Sequence, residues 1–409
     1  MIDTPASAAP AADSPQARPA VRLQKGRSGR LRRGSPWVFS NEVEMTAEAK
    51  ALPAGSLVTL VDAGDEKLGV ATFNAHSLIA ARVIDRDWQT TVDSRVVQQR
   101  LQAALDLRSR LFDRPFYRLV HSEGDGLPGL IIDRFGDVLA LQANTAGMER
   151  LTPLVIEACE ALLQPSAIVL RNDSPARGLE GLETATVVAR GSVEAPVRLE
   201  ENGVAYVADL ATGQKTGWFY DQRPNRAFVA QLAAGRRVID VYAYAGAFGL
   251  ACAARGAAEV VLVDRAERAQ ALAMQAAELN GFADRVRPVQ AEAFGELARL
   301  AAAGERFGVV ICDPPAFAKS RKDQPQAAKG YRKLARLGAA LVEPGGVLLC
   351  GSCSHHMPLE MFQEEVSRGI AQAGRHGRLL HTGFAGPDHP VHPALPETAY
   401  LKTLTFQLD

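Results

Sequence analysis

Apolar and polar residues follow different patterns in successive parts of this 409-residue chain. Between residues 21 and 90, short apolar runs separated by glycine lie at 55–62, 68–73 and 78–84. Strand-like runs this close together, each bounded by turn residues, are typical of a small β-barrel. Residues 1–20 are rich in Ala and Pro and have no apolar periodicity, which predicts a disordered tail.

The pattern changes after residue 90 and again after residue 200. Residues 91–200 begin with a helical pattern at 96–111 and continue with strand-like runs at 129–133, 138–142 and 167–170, which indicates a middle α/β domain. From 201 to 409, strands and helices alternate. The predicted strands are 237–241, 260–264, 286–290, 309–312, 347–350, 378–381 and 401–407, and the most evident helices are 266–280 and 331–341. This alternation predicts a Rossmann-like, doubly wound parallel sheet, with an antiparallel edge pairing allowed for the last strand.

Charge is balanced overall but not locally. Lys plus Arg and Asp plus Glu both number 46, and zero net charge argues mildly against a nucleic-acid binder. Two basic blocks modify this interpretation: Arg22, Lys25, Arg27, Arg30, Arg32 and Arg33; and Lys319, Arg321, Lys322, Lys329, Arg332, Lys333 and Arg336. Each block could be a solvated face, yet two of them favour phosphate contacts. Trp37 and Phe39 follow the first block and could grip single-stranded RNA, although filling the barrel core is the stronger interpretation for both.

The five cysteines suggest a reducing compartment. Their odd number in a long chain without a secretory signal disfavours a disulfide framework, and none of their spacings is typical of a zinc site. Cys350-x-x-Cys353 has the spacing of a redox pair, but Cys350 lies inside an apolar strand. No apolar stretch approaches the roughly 18 residues of a membrane span. We therefore expect a cytoplasmic protein without a metal and without a membrane partner.

The first strand of the C-terminal sheet leads into a candidate cofactor loop. Asp240 precedes a turn of small residues that contains Gly246 and Gly249, and glycine lets the backbone approach a ligand closely. The G-x-G-x-x-G pattern of dinucleotide sites is absent, which suits a nucleoside ligand that has no phosphate, such as a sulfonium-bearing one. Asp264 ends the second strand and could bind a ribose diol, and Glu292 follows the third strand near the expected adenine. Each acid alone could equally be a surface cap.

Two later strand ends carry candidate catalytic residues. Asp313 precedes Pro314-Pro315 after one strand, and Cys353 follows the next strand between two serines. A thiolate that attacks C6 of a cytosine makes C5 nucleophilic, which divides one difficult methylation into easier covalent steps. Asp313 could bond the N3 and N4 edge of that base. The side chain of Cys312 should point away from that of Asp313, and we interpret Cys312 as a core residue. The base that removes the C5 proton is not identified, and the candidates are His355, His356 and Lys319.

Several motifs in this order resemble a known family. The chain is similar to the bacterial 23S ribosomal RNA (cytosine-C5)-methyltransferases that join a PUA domain to a class I methyltransferase domain, from about Val21 to the C-terminus. The motifs are Lys25-Gly-Arg27, residues 31–40 (Leu-Arg-Arg-Gly-Ser-Pro-Trp-Val-Phe-Ser), residues 123–136 (Glu-Gly-Asp-Gly-Leu-Pro-Gly-Leu-Ile-Ile-Asp-Arg-Phe-Gly), residues 215–223 (Lys-Thr-Gly-Trp-Phe-Tyr-Asp-Gln-Arg), residues 313–317 (Asp-Pro-Pro-Ala-Phe), Ser352-Cys-Ser354, Asp388-His-Pro390 and Tyr400-Leu-Lys402.

The resemblance implies an enzyme that uses S-adenosyl-L-methionine to methylate C5 of a cytosine in 23S ribosomal RNA. It implies a PUA-like RNA-binding β-barrel at 21–90, a middle α/β domain at 91–200 and a class I methyltransferase domain at 201–409. Cys353 would be the nucleophile. The residues implied beside the cofactor are Tyr220, Asp221, Gln222, Arg223, Asp240, Tyr242, Gly246, Asp264, Glu292 and Asp313. The sequence leaves open whether the chain forms a homodimer and which nucleotide it modifies.

Three other functions stay open at this point. A guanine-N7 rRNA methyltransferase would share the fold and the Asp-Pro-Pro motif, and it would need no thiol. An rRNA-binding assembly factor without catalysis would have lost the acids and the cysteine, which are intact here. A nicotinamide oxidoreductase is disfavoured by the cofactor loop, although Asp264 by itself does not distinguish the two cofactors.

Overall fold

Two compact units make up the fold. The computed structural model describes residues 13–193, 196–213, 216–318 and 320–409. Unit 1 holds the described residues up to 193 together with 210–213, Thr216 and Asp388–Pro396. Unit 2 holds 196–209, Gly217–Pro387 and Glu397–Asp409. Lys215 and Lys319, which the sequence singles out, lie outside the described residues, and the predicted division into a tail and three domains remains a prediction.

Unit 1 begins with a five-stranded sheet whose order is β1-β3-β4-β5-β2. Its strands are β1 (Ala20–Arg22), β2 (Trp37–Val38), β3 (Ser56–Val61), β4 (Lys67–Phe73) and β5 (Ala81–Asp85), and its helices are α1 (Gly29–Arg32) and α2 (Ala47–Ala51). β1 pairs with β3 in parallel, and the other pairs are antiparallel. Alternate residues of these strands, such as Val21, Val58 and Leu60, form one apolar core.

One expectation for this region differs from the structure. Trp37 and Phe39 are half-buried and lie outside the core cluster, because strand alternation turns Val38 inward between them. The Trp37 indole Nε1 donates to Glu123 at 2.7 Å, and the Arg30 guanidinium lies 4.6 Å from the Phe39 ring centroid. Near the first described residues, the buried side chains of Asp13 and Arg18 form an ion pair.

The second sheet of unit 1 has five strands in the order β10-β9-β8-β7-β6. They are β6 (Phe116–His121), β7 (Leu130–Phe135), β8 (Val138–Ala143), β9 (Ala167–Asn172) and β10 (Ala185–Gly191), with helices α3 (Ser94–Leu111) and α4 (Ala146–Leu163). Asp93 starts α3 two residues earlier than predicted, because its carboxylate accepts the Arg95 and Val96 N–H groups. Only β8 and β9 are parallel here, since α4 crosses between them.

Unit 2 contains a hairpin and a seven-stranded sheet. The hairpin strands are β11 (Val197–Glu201) and β12 (Val204–Ala208); the sheet strands are β13 (Arg237–Val241), β14 (Glu259–Asp264), β15 (Val286–Gln290), β16 (Phe307–Cys312), β17 (Val342–Ser352), β18 (Gly377–Gly383) and β19 (Lys402–Leu408). The helices are α5 (Arg223–Ala230), α6 (Ala247–Ala254), α7 (Glu267–Leu279), α8 (Ala293–Ala302), α9 (Gln324–Leu341) and α10 (Leu359–Gln372).

The sheet order β15-β14-β13-β16-β17-β19-β18 confirms the doubly wound topology. The first five strands are parallel, and β19 runs antiparallel between β17 and the edge strand β18, so the antiparallel pairing allowed for the last strand is present. β13 is the switch point, since β14 lies on one side of it and β16 on the other. In such sheets ligands bind outside the carboxyl ends of the strands beside the switch point. Within the described residues, no helix is long and apolar enough to cross a membrane.

Candidate active site

The loop after β13 is a tight turn held against its neighbours. Tyr242 and Tyr244 have φ angles of 66° and 48°, a region that non-glycine residues rarely adopt. Gly246, at φ 73°, then begins α6, and a Cβ there would press on Ala273 and Leu262. Backbone strain of this kind concentrates where the chain is shaped around a ligand.

The side chain of Asp240, in β13, is hydrogen-bonded to the start of α6. Its carboxylate accepts the Gly249 N–H at 2.9 Å, and a side chain at Gly249 would collide with two residues of β14. Only 1% of Asp240 is exposed, and burial, with added repulsion from Asp313 and Asp264, raises its pKa to about 7. Asp313 and Asp264 thus lie close enough, at adjacent strand ends, to oppose the ionisation of Asp240. A cationic ligand would relieve that repulsion.

Asp264 and Glu292 both accept backbone N–H groups. Asp264 binds the amides of Tyr244 and Ala266, each at 2.9 Å, and it is half-buried. Glu292 is exposed and caps α8 through the amides of the second and third residues after it, at 3.1 and 2.8 Å. The cap interpretation therefore holds for Glu292, whose carboxylate keeps only its outward lone pairs for a ligand.

A chain of amides orients Asp313. Asn225 Nδ2 donates to Gln222 Oε1 at 2.6 Å, and Gln222 Nε2 donates to Asp313 Oδ2 at 2.8 Å. A Cβ at Gly351, on the neighbouring strand β17, would occupy the position of the Asp313 carboxylate. The carboxylate therefore has one fixed orientation at the end of β16, and it remains half-buried and reachable.

The segment 220–223 is supported by a buried ion pair that sequence reasoning missed. Glu201, at the end of β11, binds the Arg226 guanidinium through both carboxylate oxygens, at 2.6 and 2.8 Å. It also accepts the Trp218 indole N–H at 3.2 Å, and Arg226 donates to the Phe219 carbonyl. A paired charge is the form in which Glu and Arg are buried in a protein core. The pair thus fixes both ends of the segment.

Exposure divides the predicted site residues into two groups. Tyr220, Asp221, Gln222, Asp240 and Gly246 are buried, so they support the site instead of forming its surface. For example, Tyr400 Oη donates to Asp221 Oδ2 at 2.5 Å. The residues that offer surface to a ligand are Arg223, Tyr242, Asp264, Glu292, Asp313 and Cys353.

Cys353 lies on a loop that is pinned on both sides. Ser352 Oγ donates to Tyr331 Oη at 2.9 Å, and Tyr331 Oη lies 3.1 Å from Ser354 Oγ. The Ala318 N–H, in the loop after Asp313-Pro-Pro, donates to Ser354 Oγ at 3.2 Å. One buried phenol from α9 therefore connects the two serines that flank the cysteine, and Ser354 connects this loop to the other motif loop.

Lys402 places a cation beside this loop. Its Nζ donates to the carbonyls of Ser354 at 2.7 Å and Tyr400 at 2.9 Å, and only 6% of the residue is exposed. Burial lowers its pKa to about 8, while the neighbouring Cys353 acts in the opposite direction. An ammonium within electrostatic reach of a thiol favours the thiolate, which is the nucleophilic form.

The remaining cysteines and the candidate bases are less suited to catalysis. Cys312 is fully buried in the core, as predicted, and burial raises its pKa well above the usual value. Cys350 is also buried, which disfavours a redox pair with Cys353. His355 and His356 are exposed, and the His355 ring lies against Tyr400 with centroids 5.3 Å apart.

Comparisons with known proteins identify both parts of the chain. Residues 183–407 match the family described as S-adenosylmethionine-dependent methyltransferase, and residues 21–86 match a PUA-like domain. Ribosomal RNA large subunit methyltransferase I from Aeromonas salmonicida (strain A449) is 37% identical over 393 residues, which cover 95% of this chain and 98% of that protein. The protein of the same name from Pseudoalteromonas atlantica is 34% identical over 388 residues, covering 94% and 98%.

Solved structures show the same fold. A Streptococcus mutans protein described as an S-adenosylmethionine-dependent methyltransferase has a TM-score of 0.79 at 21% identity, covering 95% of this chain and 100% of that one. The methyltransferase SMU.776, complexed with SAH, has a TM-score of 0.81 at the same identity and coverage. These findings confirm the predicted fold, a PUA-like domain with a Rossmann-like methyltransferase sheet, and exclude the nicotinamide alternative in favour of S-adenosylmethionine.

Proposed function

Because this chain belongs to the S-adenosylmethionine-dependent methyltransferase family that carries a PUA-like domain and includes ribosomal RNA large subunit methyltransferase I, we propose that it methylates C5 of a cytosine in 23S ribosomal RNA. The observation that carries this proposal is the pairing of two strand ends. A reachable, oriented Asp313 follows β16, and a half-buried Cys353 with a cationic neighbour follows the adjacent β17.

The acid cluster fits the cofactor of this family. Burial, with added repulsion from Asp313 and Asp264, raises the pKa of Asp240 to about 7, and the positive charges of S-adenosylmethionine would offset that repulsion. Asp264 would accept the ribose hydroxyls, Tyr242 and Glu292 would border the adenosine, and Asp313 would face the cationic end. When bound, S-adenosylmethionine supplies an electrophilic methyl group. The buried residues Asp240 and Gln222 keep the binding loops in place.

Cys353 would act as the covalent nucleophile. Its thiolate attacks C6, an S–C6 bond forms, and the electron pair of the 5,6 double bond moves so that C5 becomes enamine-like and able to accept a methyl group. After methylation a base removes the proton from C5, the 5,6 double bond returns, and the S–C6 bond breaks to release the thiolate. Lys402 favours the thiolate at both ends of this sequence through its charge.

Asp313 would hold the target base during these steps. Its carboxyl group would contact the N3 and N4 edge of cytosine and, acting as an acid, donate a proton to N3 as thiolate attack at C6 pushes an electron pair toward that nitrogen. The Gln222–Asp313 contact at 2.8 Å would keep the carboxyl group oriented for this role. A cytosine must leave its stack to reach such a site, so the RNA should be single-stranded or splayed there.

A trapping experiment tests the covalent mechanism. A 23S rRNA transcript that contains 5-fluorocytidine should remain joined to the protein, because fluorine at C5 cannot be removed as a proton. Wild-type protein with S-adenosylmethionine should give a conjugate that resists denaturing electrophoresis, and mass spectrometry should place the bond on the peptide that contains Cys353. Cys353→Ser should give none.

The same experiment separates this proposal from guanine-N7 methylation. N7 is already nucleophilic, so an N7 enzyme would methylate unmodified transcript without a conjugate and would keep its turnover in Cys353→Ser. If the protein is active on rRNA under conditions where no conjugate forms, the C5 proposal is wrong.

A further inference from the structure

Unit 1 contains an open cavity of about 800 Å³ that the chemistry above does not use. Its walls come from five separate stretches of the chain: the residues that follow α1, the end of β5, Arg100 of α3, the loop that follows β6, and the segment His392–Ala394. Binding sites for small ligands have volumes of roughly 300–1,000 Å³, so this cavity is large enough for one or two nucleotides.

The two acids in the cavity wall are paired with other groups. Asp85 accepts from Arg100 at 3.3 Å, and Arg100 also donates to carbonyls at Ile84 and Gly126. Glu123 accepts the Trp37 indole N–H at 2.7 Å and lies 3.9 Å from the Arg82 guanidinium. Their negative charges are therefore compensated within the wall.

Two further arginines in the wall leave an excess of positive charge. Arg33 is exposed, and its guanidinium makes no hydrogen bond or ion pair with the part of the chain that the structure describes. Arg86 is exposed, and its guanidinium donates one N–H to the Leu31 carbonyl at 2.8 Å. His392 accepts the Ala394 N–H on Nδ1, so its Nε2 carries the proton in the neutral form and can donate. The free groups of the wall are thus donors that suit an anion.

The rest of the wall is apolar and rigid. Pro36, Pro128 and Pro393 contribute apolar rings against which a base or ribose can pack. The C-terminal segment is anchored next to the cavity, because the buried Asp388 carboxylate accepts the Arg118 N–H at 3.1 Å. A Cβ at Gly124 would collide with the Pro390 carbonyl, so the loop and the segment pack directly together. The cavity is therefore preformed.

We propose that this cavity binds one or two nucleotides of single-stranded RNA, with Arg33 and Arg86 on the phosphates and the proline rings against the base. The inference rests on the proposed RNA substrate and deepens it by naming where the RNA outside the methylated base is held. An RNA duplex keeps its bases stacked and paired, so it should enter this cavity poorly.

Binding of a fluorescein-labelled single-stranded 12-mer RNA of mixed sequence, measured by anisotropy with the full chain, tests the proposal. Arg33→Ser should fold like wild type, because the guanidinium has no partner to lose. It should weaken binding about 5–10-fold and reduce the slope of log affinity against log salt by about 1. Arg33→Ser/Arg86→Ser should lose about 30-fold or more, and the thermal unfolding temperature checks that Arg86→Ser stays folded.

The matched control is Arg110→Ser, which removes an equally exposed arginine of unit 1 that does not line the cavity. It should change affinity less than twofold. Equal losses of affinity in Arg33→Ser and Arg110→Ser would show that only the total charge of the protein matters, and would overturn the proposal. Equal affinity of the wild-type protein for the single-stranded 12-mer and for a 12-base-pair duplex would also overturn it.

Crosslinking locates the RNA independently of catalysis. Ultraviolet light should join a 4-thiouridine-substituted 12-mer to peptides that contain Arg33–Pro36 or His392–Ala394, and crosslinks confined to other peptides would contradict the cavity assignment. The experiment also separates the two proposals. Normal trapping at Cys353 with unchanged RNA affinity in Arg33→Ser would overturn only the cavity, whereas the reverse result would overturn only the covalent chemistry.

Discussion

The strand ends of unit 2 and the cavity of unit 1 illustrate two different ways of placing charge. In unit 2, Glu201 and Lys402 are nearly inaccessible, and each is held by hydrogen bonds of 2.6–3.2 Å. In unit 1, Arg33 and Arg86 carry their charge on exposed side chains. Charges that are buried interact strongly and are little affected by salt, whereas exposed ones act over a screened distance. Reaction geometry requires the first arrangement, and binding a polyanion requires only the second.

The largest expected effect of a single substitution is at Cys353. Cys353→Ser should reduce methyl transfer to 23S rRNA by about 1,000-fold or more, because a serine hydroxyl is a far weaker nucleophile toward C6 than a thiolate. Incorporation of radioactive methyl groups measures this. Cys159→Ala, at a buried cysteine of unit 1, is the control and should leave turnover within about twofold wherever the protein is folded. Normal turnover in Cys353→Ser would contradict the role of Cys353 as the nucleophile.

The next effect compares a buried ion pair with an exposed one. Glu201→Gln should lower the free energy of unfolding by about 3–5 kcal/mol, since it leaves the Arg226 charge buried and uncompensated. Glu66→Gln removes a carboxylate that pairs with the exposed Arg32, and it should have no clear effect on urea denaturation. Similar urea midpoints for Glu201→Gln and Glu66→Gln would show that the buried ion pair contributes no more to stability than the exposed one.

Replacing Lys402 should change the reactivity of the thiol. Lys402→Met should slow alkylation of Cys353 by iodoacetamide at pH 7.5 by about 10-fold, because the charge that favours the thiolate is lost. Alkylation reports on this site selectively, since the other four cysteines are buried. Lys402→Arg should restore most of the rate, and Lys333→Met is the control for a charge elsewhere in unit 2. A pH profile of alkylation that is the same in Lys402→Met and wild type would contradict the role of Lys402.

The last expected effect is a gradual pH dependence of stability due to Asp240. Its pKa is raised from 3.8 to about 7 in the folded protein. Between these values the folded state binds a proton that the unfolded chain has released. The free energy of unfolding should therefore fall as pH rises through this window, by up to about 1.4 kcal/mol per pH unit, and level off above pH 7. Asp240→Asn lacks this contribution. The difference between the two proteins in urea titrations isolates it, and a pH-independent difference would show that Asp240 stays ionised.

Element boundaries show where local signals were sufficient. β13 was predicted at its observed ends, because its apolar residues Val238, Ile239 and Val241 lie between two turns that contain glycine. α9 begins seven residues before its predicted start, at Gln324, because Pro325 in its first turn suits a helix start and the apolar periodicity becomes visible only later. The antiparallel pairing allowed for the last strand is observed between β18 and β19, but the insertion of β19 next to β17 depends on pairing that is not encoded in its own residues.

The candidate site divides in the same way. Asp313 and Cys353 could be found from sequence, since each is a chemically distinctive residue directly after an apolar strand. Asn225 and Tyr331 could not, because their roles depend on what faces them after folding. Only the Tyr400-Leu-Lys402 motif gave any signal for Lys402, and it did not indicate a cation beside the cysteine.

The sequence by itself determined which strands are followed by chemically distinctive residues. It places an acid after one strand and a thiol after the next, and it makes the N-terminal region basic and rich in strands. It could do so because apolar periodicity and turn residues act over a few neighbouring positions. The tertiary structure decided which acids are buried, which amides orient Asp313, and which arginines face the cavity in unit 1. Those properties arise from contacts between residues tens to hundreds of positions apart, whose desolvation and hydrogen bonding exist only once the chain has folded.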